Sequence, residues 1–486
     1  MSPILATVAF VLFVSGLFWL DRDSKTHYSP AVWLPVIWFS LACSRSVTQW
    51  LDIRQAVVSA DQVMDGSPID RLSYMVMLAI GVVVLAFRRE RIGKFLRANS
   101  AIVFFFFYCL VSLLWSDFPD IAFKRWIKAL GDLVMVLIVL TDAKPLVAIK
   151  RLLARTGFIL IPLSILFIKY YGEIGRIYGD WTGEVQYVGV TTNKNTLGAL
   201  CLFLGLGSLW RFFEALTDRS LEGRTRHMMA HAALVALVLW LLLKADSMTS
   251  LACFMMGGLL LLIVHLRITQ RFPVIVHILV ISMLVVSVGV LFLGASPDAL
   301  KSMNRNPTLT DRTQVWAMLL SLVKNPILGT GFESFWLGPR LQKMWDRYWW
   351  HPGEAHNGYL EIYLNLGWVG ITLLGLVLIR AYWMMFCGWR NHIPVASLAL
   401  TYFFVALNYN FTEAAFFRML APAWLFLLLA MASISAFSRR KAKSPGRNSL
   451  DKQKNLIATR EAVAQASLND GHPQTLLPAR VAFFGR

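Results

Sequence analysis

The feature that most constrains this chain is a series of long apolar runs. Runs such as 234–243 and 259–266 have no polar face, which is typical of segments surrounded by lipid rather than half exposed to water. Only 15% of the 486 residues are charged, whereas soluble proteins carry about 25%. The sequence therefore predicts a polytopic membrane protein, which we place in the inner membrane.

Apolar segments of roughly 17 to 25 residues predict membrane-spanning helices. They lie near 3–20, 30–48, 69–87, 99–116, 126–141, 155–171, 188–212, 228–244, 247–266, 273–294, 358–387, 395–411 and 414–437. The first segment lacks a basic n-region and a clean cleavage site, so we expect it to be retained rather than removed as a signal peptide. The predicted fold class is an all-α polytopic membrane protein of about 12–13 transmembrane helices, with one long periplasmic loop bearing short helices.

The net charge of +19 is dispersed among loops rather than gathered in one patch, which does not favour nucleic-acid binding. Lysine and arginine are concentrated in alternate loops, at 22–25, 88–97, 144–155, 219–226, 267–271 and 439–443. The opposite loops 49–68, 172–187 and 245–247 contain at most one basic residue each between their flanking spans. The positive-inside rule places the first set in the cytoplasm and the N-terminus outside.

One connection is much longer than the others and falls on the outer side. Residues 295–357 are rich in tryptophan, tyrosine and phenylalanine, which indicates order. Within them, Thr310–Val323 predicts a short amphipathic helix, with Asp311 as its cap and Asn325-Pro326 as its stop. The chain thus divides into a first bundle part (1–294), a periplasmic loop (295–357), a last bundle part (358–437) and a basic cytoplasmic tail (438–486).

Metal and disulfide chemistry are not predicted. The cysteines at 43, 109, 201, 253 and 387 all lie in apolar stretches, where packing is their expected role. No Asp/Glu/His cluster with ligand spacing is visible on the outer face of the sequence-based topology. We therefore predict no metal site and no cofactor.

A histidine stands where the long loop meets the eleventh span, in Ala355-His356-Asn357-Gly358-Tyr359-Leu360-Glu361. At about 100° per residue, Tyr359 lies near the face of His356, so the imidazole is expected at the membrane surface over an aromatic face. His356 is a candidate catalytic residue, and Asn357 and Tyr359 are candidate substrate ligands. An interfacial histidine among aromatic belt residues explains the same spacing.

Basic groups on other outer segments suggest an anion site. If Asp311 caps its helix, Arg312 lies in the first turn beside unpaired N–H groups, and both favour phosphate oxygens; Trp316 follows one turn later. A second segment carries Arg176, and the next span begins with Asn193-Lys194-Asn195. Lys124 and Arg125 occupy a further outer loop. Each has a plain alternative, a solvated arginine or a lysine that reaches the interface, but together they predict an outer cavity for an anionic headgroup.

These residues carry a family resemblance. His356-Asn357-Gly358-Tyr359-Leu360 with Gly367 and Gly370, preceded by Arg312-Thr313-Gln314-Val315-Trp316 and Gly329-Thr330-Gly331-Phe332, resembles the O-antigen ligase/polymerase family. Trp181 and Asn193-Lys194-Asn195-x-Leu197-Gly198 resemble its exopolysaccharide-polymerase branch. The resemblance covers roughly residues 100–435.

The resemblance implies a GT-C fold and transfer of a glycan from an undecaprenyl-diphosphate donor to a glycan or lipid-linked glycan acceptor, with inversion and without metal. It further implies His356, Arg312 and Arg176 as catalytic residues. The predicted substrate-binding residues around them are Lys194, Asn193, Asn195, Lys124, Arg125, Trp316, Asn357 and Tyr359. Membrane lipids and other polysaccharide-assembly proteins are the implied partners. Arginines can stabilise a departing diphosphate without a divalent ion, and a neutral histidine can accept the acceptor's proton. Polymerisation of an exopolysaccharide repeat is slightly favoured over ligation to a lipid-A core.

A transporter or flippase of lipid-linked oligosaccharide is the alternative. Such a protein should show paired repeats with broken spans and charges near the middle of the membrane. The sequence contains no convincing repeat. The candidates for deep charges are Asp132, Lys244, Asp246, Glu413 and Arg418, and most of them lie near the ends of predicted spans.

Overall fold

The computed structural model describes residues 1–22, 29–51, 67–178, 183–266, 269, 271–272, 274–293, 309–389 and 393–437, and their side chains outside 287–293 and 309–313. Residues 1–437 form one compact unit. The chain is an all-α polytopic membrane protein, as the sequence predicts. A two-stranded hairpin, β1 (Arg176–Tyr178) and β2 (Val185–Tyr187), is antiparallel and pairs Arg176 with Tyr187.

Eighteen helices make up the described part of the chain. They are α1 (Pro3–Leu20), α2 (Trp33–Ala42), α3 (Val47–Trp50), α4 (Pro68–Ala86), α5 (Arg89–Ala98), α6 (Ser100–Val111), α7 (Pro119–Leu140), α8 (Pro145–Tyr170), α9 (Gly172–Gly175), α10 (Lys194–Thr217), α11 (Arg224–Ala245), α12 (Met248–Val264), α13 (Val274–Leu293), α14 (Leu309–Ser321), α15 (Gly338–Arg347), α16 (Gly358–Gly388), α17 (Ile393–Tyr409) and α18 (Pro422–Phe437). Short 3₁₀ turns precede α2 and follow α6.

Every predicted span coincides with a helix, but the helices differ in length and polarity. By length and apolar composition, α1, α4, α8, α10, α11 and α16 can each cross a membrane, and α5 with α6 can form a seventh span despite a bend of 88°. The apolar helices α2, α12, α17 and α18 are shorter, and α13 is apolar over the residues whose side chains are described. Helix α7 carries Lys124, Arg125 and Lys128 in its first half and Asp132 just past its midpoint, so this helix is long but not uniformly apolar.

Side-chain contacts sort the helix ends into two groups. At one end, which we call the site end, Arg45 after α2 donates to the carbonyls of Ile174 and Thr191, and Trp115 after α6 donates to Leu328. At the opposite end, Arg88 after α4 pairs with Asp142 after α7 at 3.4 Å. This alternation agrees with the division of loops read from the basic residues.

Buried charges join four helices at the opposite end. The Asp21 carboxylate, directly after α1, lies 2.8 Å from His227 Nδ1, 3.3 Å from His231 Nε2 and 3.2 Å from Arg211 Nη2. Arg151 on α8 lies 3.8 Å from the same carboxylate. Burial alone would raise the pKa of Asp21, but the hydrogen bonds of His227 and His231 and the charge of Arg211 hold that pKa well below its usual range.

The last predicted span begins later than its apolar run. The prediction placed it at 414–437, whereas α18 begins at Pro422, and residues 410–421 form a loop at the site end. The Asn410 side-chain oxygen accepts hydrogen bonds from the backbone N–H groups of Ala415 and Phe416, both at 2.9 Å, which stops helical pairing there. This loop brings two charged side chains, Glu413 and Arg418, to the site end.

A break in α16 anchors the long outer loop. Gly367 has φ 64° and ψ −162° inside the helix, which frees backbone groups that then pair with the loop: Trp368 N donates to Pro326 O at 2.9 Å and Gly331 N to Asn365 O at 2.8 Å. A Cβ on Gly367 would lie 2.2 Å from the Ile327 carbonyl oxygen. The glycine motifs around 329 and 367 therefore serve close backbone packing.

Two finer predictions are corrected. Asp311 lies inside α14 (Leu309–Ser321), so it is not the cap of this helix. Cysteines 43, 109, 201 and 253 are buried as expected, but Cys387 on α16 is exposed.

Candidate functional site

His356 occupies a constrained position directly before α16. Its φ is 48°, a left-handed value that few non-glycine residues adopt, and the following residue, Asn357, caps α16 by accepting from Leu360 N at 3.0 Å. The imidazole Nδ1 lies 3.1 Å from a carboxylate oxygen of Glu354 and 3.4 Å from one of Glu413. The fold thus brings two carboxylates to the same ring nitrogen, Nδ1.

The two carboxylates are themselves held from other elements. Asn195, at the start of α10, donates to Glu413 Oε1 at 3.2 Å. Arg418 forms an ion pair with Glu354. The site therefore combines the end of the long loop, the start of α10 and the 410–421 loop. Glu354, Glu413 and Arg418 were not among the predicted site residues, although Glu413 and Arg418 stood out as charges beside apolar segments.

A cavity of 490 Å³ lies beside this cluster, with Arg418 and Glu354 at its edge. Five basic residues and four carboxylates line it: Arg71, Lys124, Arg125, Lys128, Arg418, Asp70, Glu333, Glu354 and Glu361. Aromatic walls come from Trp38, Tyr74, Trp336 and Trp345. We call this space the basic cavity. Lys124 and Arg125, which the sequence suggested as headgroup ligands, are part of its wall.

The carboxylates of the basic cavity are tied to the fold. Trp336 Nε1 donates to Glu361 at 2.7 Å, and the backbone N–H of Ala355 donates to the same carboxylate at 3.0 Å. Arg125 donates to the Glu333 carbonyl at 2.6 Å and lies 3.8 Å from its carboxylate. The exposed amine of Lys124, by contrast, can turn toward a ligand. An anion entering the cavity can therefore meet positive charge without displacing the buried acids.

Arg176 and Lys194 make their contacts with residues that do not line the basic cavity. Arg176 Nε donates to Ile168 O at 2.8 Å. Two cations contact the Tyr187 ring: the Arg176 guanidinium lies 6.0 Å from its centroid and Lys244 Nζ lies 5.6 Å from it. Lys194 Nζ lies 3.5 Å from Asp246. We call Arg176, Lys194 and Lys244 the hairpin cations. They do not line the basic cavity, and the shared cavity of His356, Arg176 and Arg312 stays a prediction, since the Arg312 side chain falls outside the described residues.

Four predicted ligands have their polar atoms engaged in the fold. Asn193 caps α10 by accepting from Thr196 N at 2.8 Å, and Asn357 caps α16. Trp316 Nε1 donates to Ala355 O at 2.8 Å, and the Tyr359 hydroxyl donates to Leu407 O at 3.2 Å. These contacts give each of the four side chains a role in the fold, and their contact with substrate stays a prediction.

The sequence predicted no cluster of Asp, Glu and His with metal-ligand spacing on the outer face, and this prediction is wrong. Within the described residues, Glu354, His356 and Glu413 bring one ligand atom each within 4.8 Å of the others, a spacing that could hold a cation. The geometry also explains the cluster without one, because Arg418 already pairs with Glu354 and Asn195 with Glu413. A guanidinium at this point opposes a divalent ion electrostatically. The arrangement fits a histidine oriented by carboxylates.

Comparison with known proteins agrees with the resemblance read from the sequence. Residues 231–375 match a family described as O-Antigen ligase. The chain is also 25% identical to the exopolysaccharide production protein ExoQ of Rhizobium meliloti (strain 1021), over 309 residues that cover 62% of this chain and 68% of the relative. The family match spans α11 to the first half of α16 and so includes His356 and both motif glycines.

Proposed function

From this resemblance to the O-antigen ligase/polymerase family, we propose that the chain is a membrane glycosyltransferase that moves a glycan from an undecaprenyl-diphosphate donor to an acceptor hydroxyl. One observation carries the proposal. A histidine oriented by two carboxylates stands beside an arginine at the edge of a cavity lined by basic residues. Those groups match the two needs of the reaction, a base for the acceptor and positive charge for the leaving group.

His356 is suited to act as the base. When its Nδ1–H donates to Glu354 or Glu413, the other ring nitrogen, Nε2, is the unprotonated one and can accept a proton. The adjacent carboxylates also stabilise the imidazolium that forms. Arg418 and Asn195 keep the two carboxylates in place. Other histidine bases are oriented by an acid in the same way, and we assign this orienting role to both glutamates.

The basic cavity is suited to hold the donor diphosphate. In a single inverting displacement, the acceptor oxygen bonds to the anomeric carbon while the bond from that carbon to the diphosphate oxygen breaks. The acceptor proton passes to His356 Nε2, and the negative charge stays on the departing lipid diphosphate. Arg125, Lys128 and Arg418 can stabilise that charge, as charge-assisted hydrogen bonds do for phosphoryl oxygens. The reaction then needs no divalent ion.

Polymerisation of an exopolysaccharide repeat is the favoured reaction. In polymerisation both substrates carry a lipid diphosphate, whereas in ligation to a lipid-A core only the donor does. The hairpin cations provide a second basic region that is linked to His356 through Asn195 and Glu413. Two basic regions around one base fit two diphosphate substrates. The relative ExoQ is an exopolysaccharide production protein, which also favours polymerisation.

We place the protein in the bacterial inner membrane with the site end facing the periplasm. The loops at the opposite end carry most of the lysine and arginine, which is the cytoplasmic pattern. A donor with its sugar exposed at the outer leaflet could reach the basic cavity directly. The proposed orientation fits a role in envelope polysaccharide assembly.

Reconstitution separates the transferase from a flippase. The purified protein is reconstituted in liposomes, and undecaprenyl-diphosphate oligosaccharide extracted from the strain that encodes the protein is added without nucleotide sugar. We expect free undecaprenyl diphosphate and a longer glycan. A flippase would instead move the labelled oligosaccharide across the bilayer and leave its bond to the lipid intact, and that result would overturn the proposal.

A further inference from the structure

Two exposed tryptophans lie outside the basic cavity, and one of them, Trp350, lies next to His356. Trp349 and Trp350 follow α15 and expose 71% and 42% of their surfaces. The aromatic residues just before them behave differently: Phe335 and Trp336 are buried in a small apolar cluster with Leu341. The exposure of Trp349 and Trp350 is thus not shared by the other tryptophan, tyrosine and phenylalanine residues that the structure describes in this outer segment.

Side-chain contacts tie the segment that carries the two tryptophans to its neighbours. Trp345 Nε1 donates to Pro352 O at 3.1 Å, and the Trp345 ring stacks on His351 at 4.9 Å with an angle of 28°. The Tyr348 ring lies 6.0 Å from that of Trp350. His351 has a φ of 47°, a conformation that costs free energy and persists where the surroundings require it. Trp350 is therefore presented in a fixed position.

Trp350 is also directly beside the proposed base. Its ring centroid lies 6.4 Å from the His356 ring, and the two planes are inclined by 33°. A molecule packed on the open face of Trp350 therefore comes close to the imidazole. Because the proposed reaction places a sugar hydroxyl at His356, the molecule expected there is a sugar.

We propose that Trp349 and Trp350 form a stacking platform for the acceptor glycan. Sugar rings present faces of C–H groups that pack on the electron-rich face of an indole, so a platform beside the base would seat the acceptor ring with its hydroxyl toward Nε2. The platform deepens the proposed function and rests on it. The competing role, an aromatic anchor in the lipid interface, concerns no sugar and makes different predictions.

The first test is binding, which does not depend on turnover. The probe is the oligosaccharide cleaved by mild acid from the strain's own lipid-linked intermediate, added to protein in nanodiscs and observed by saturation-transfer NMR. We expect enhancements at sugar C–H protons that are lost in Trp350→Ala and largely retained in Trp350→Phe. Trp383→Ala is the matched control, since Trp383 is 60% exposed on the C-terminal half of α16 and should bind like the wild type.

The second test is kinetic. In the reconstituted reaction, Trp350→Ala should raise the acceptor KM by about 3- to 10-fold, the worth of one stacking contact, with kcat and donor KM near the control. The platform is overturned if the wild type gives no sugar enhancements, or if Trp350→Ala keeps both binding and KM. A wild type that binds the oligosaccharide but transfers nothing would instead contradict the proposed function and leave the platform standing.

Discussion

At the scale of single residues, the site depends on charges that lie far apart in the sequence. His356 could be predicted because it stands in a recognisable motif where a polar loop meets an apolar span. Glu413 and Arg418 could not, because their loop is produced by Asn410, whose side chain ends α17 inside an otherwise apolar run. The sequence correctly predicted that Asn193 and Asn357 lie at helix starts. It could not distinguish a helix cap from a substrate ligand, because asparagine suits both roles.

Arg418 provides a residue-scale prediction. Arg418→Ala should weaken donor binding by roughly 10- to 100-fold, the range of one or two charged hydrogen bonds, and it leaves Glu354 unpaired beside the diphosphate. Arg418→Lys should recover only part of the affinity, because lysine keeps the charge but loses the planar fork. Titration with undecaprenyl diphosphate in nanodiscs measures both. Arg347→Ala, which removes an exposed arginine of α15 outside the basic cavity, is the control; equal affinities for both alanine variants would contradict the cavity assignment.

At the scale of elements, the apolar pattern predicts where helices lie but not where they break. Hydropathy located a helix under every predicted span, since lipid-facing helices need long apolar runs. The break at Gly367 is invisible to hydropathy because the residues on both sides of it are apolar. Its cause is tertiary: the 325–335 loop needs the backbone groups that the break releases.

The break gives an element-scale prediction. Gly367→Ala should lower thermal stability, because a side chain in the nearly glycine-only region at φ 64° and ψ −162° costs about 1–3 kcal/mol and its Cβ would also meet the Ile327 carbonyl. Gly375→Ala is the control in the same helix, where a Cβ meets nothing within 4 Å. This variant should be neutral or slightly more stable, by about 0.5–1 kcal/mol. Melting curves in one detergent compare the two, and similar melting temperatures would argue against the packing role of the break.

The Asp21 network gives a second element-scale prediction. Because the folded pKa of Asp21 lies below its unfolded value, its stabilising effect is present at neutral pH and is lost as the pH falls below about 5. Wild-type melting temperature should therefore fall between pH 5 and pH 3 more steeply than that of Asp21→Asn, which starts lower. Glu90→Gln, which removes an exposed carboxylate after α4, should show the same pH dependence of the melting temperature as the wild type. Parallel curves for wild type and Asp21→Asn would show that the network does not stabilise the helix ends.

At the scale of the whole molecule, the two ends of the bundle have different tasks. The site end gathers His356, the basic cavity and the hairpin cations, whereas the opposite end holds the ionic network around Asp21. The alternation of basic loops predicted this division, because charge asymmetry acts on whole loops and needs no tertiary knowledge. The separation of Arg176 from the basic cavity could not be predicted, since both lie at the same end and only packing distinguishes them.

Orientation is tested by labelling. Single cysteines at Lys343, on α15 at the site end, and at Arg219, after α10 at the opposite end, both replace exposed residues. A membrane-impermeant maleimide applied to spheroplasts should modify Lys343→Cys and leave Arg219→Cys unmodified until the cells are lysed. Modification of both before lysis, or of Arg219→Cys alone, would contradict the proposed periplasmic site.

The central claim is that His356 is the base of a metal-independent glycan transfer. The most direct test measures release of undecaprenyl diphosphate by reconstituted protein in EDTA, for the wild type, His356→Ala and His265→Ala, a half-buried histidine at the end of α12. We expect full wild-type activity in EDTA, a roughly 10²- to 10⁴-fold loss of turnover in His356→Ala and near-normal turnover in His265→Ala. Normal turnover by folded His356→Ala, or activity that EDTA abolishes and a divalent ion restores, would contradict it.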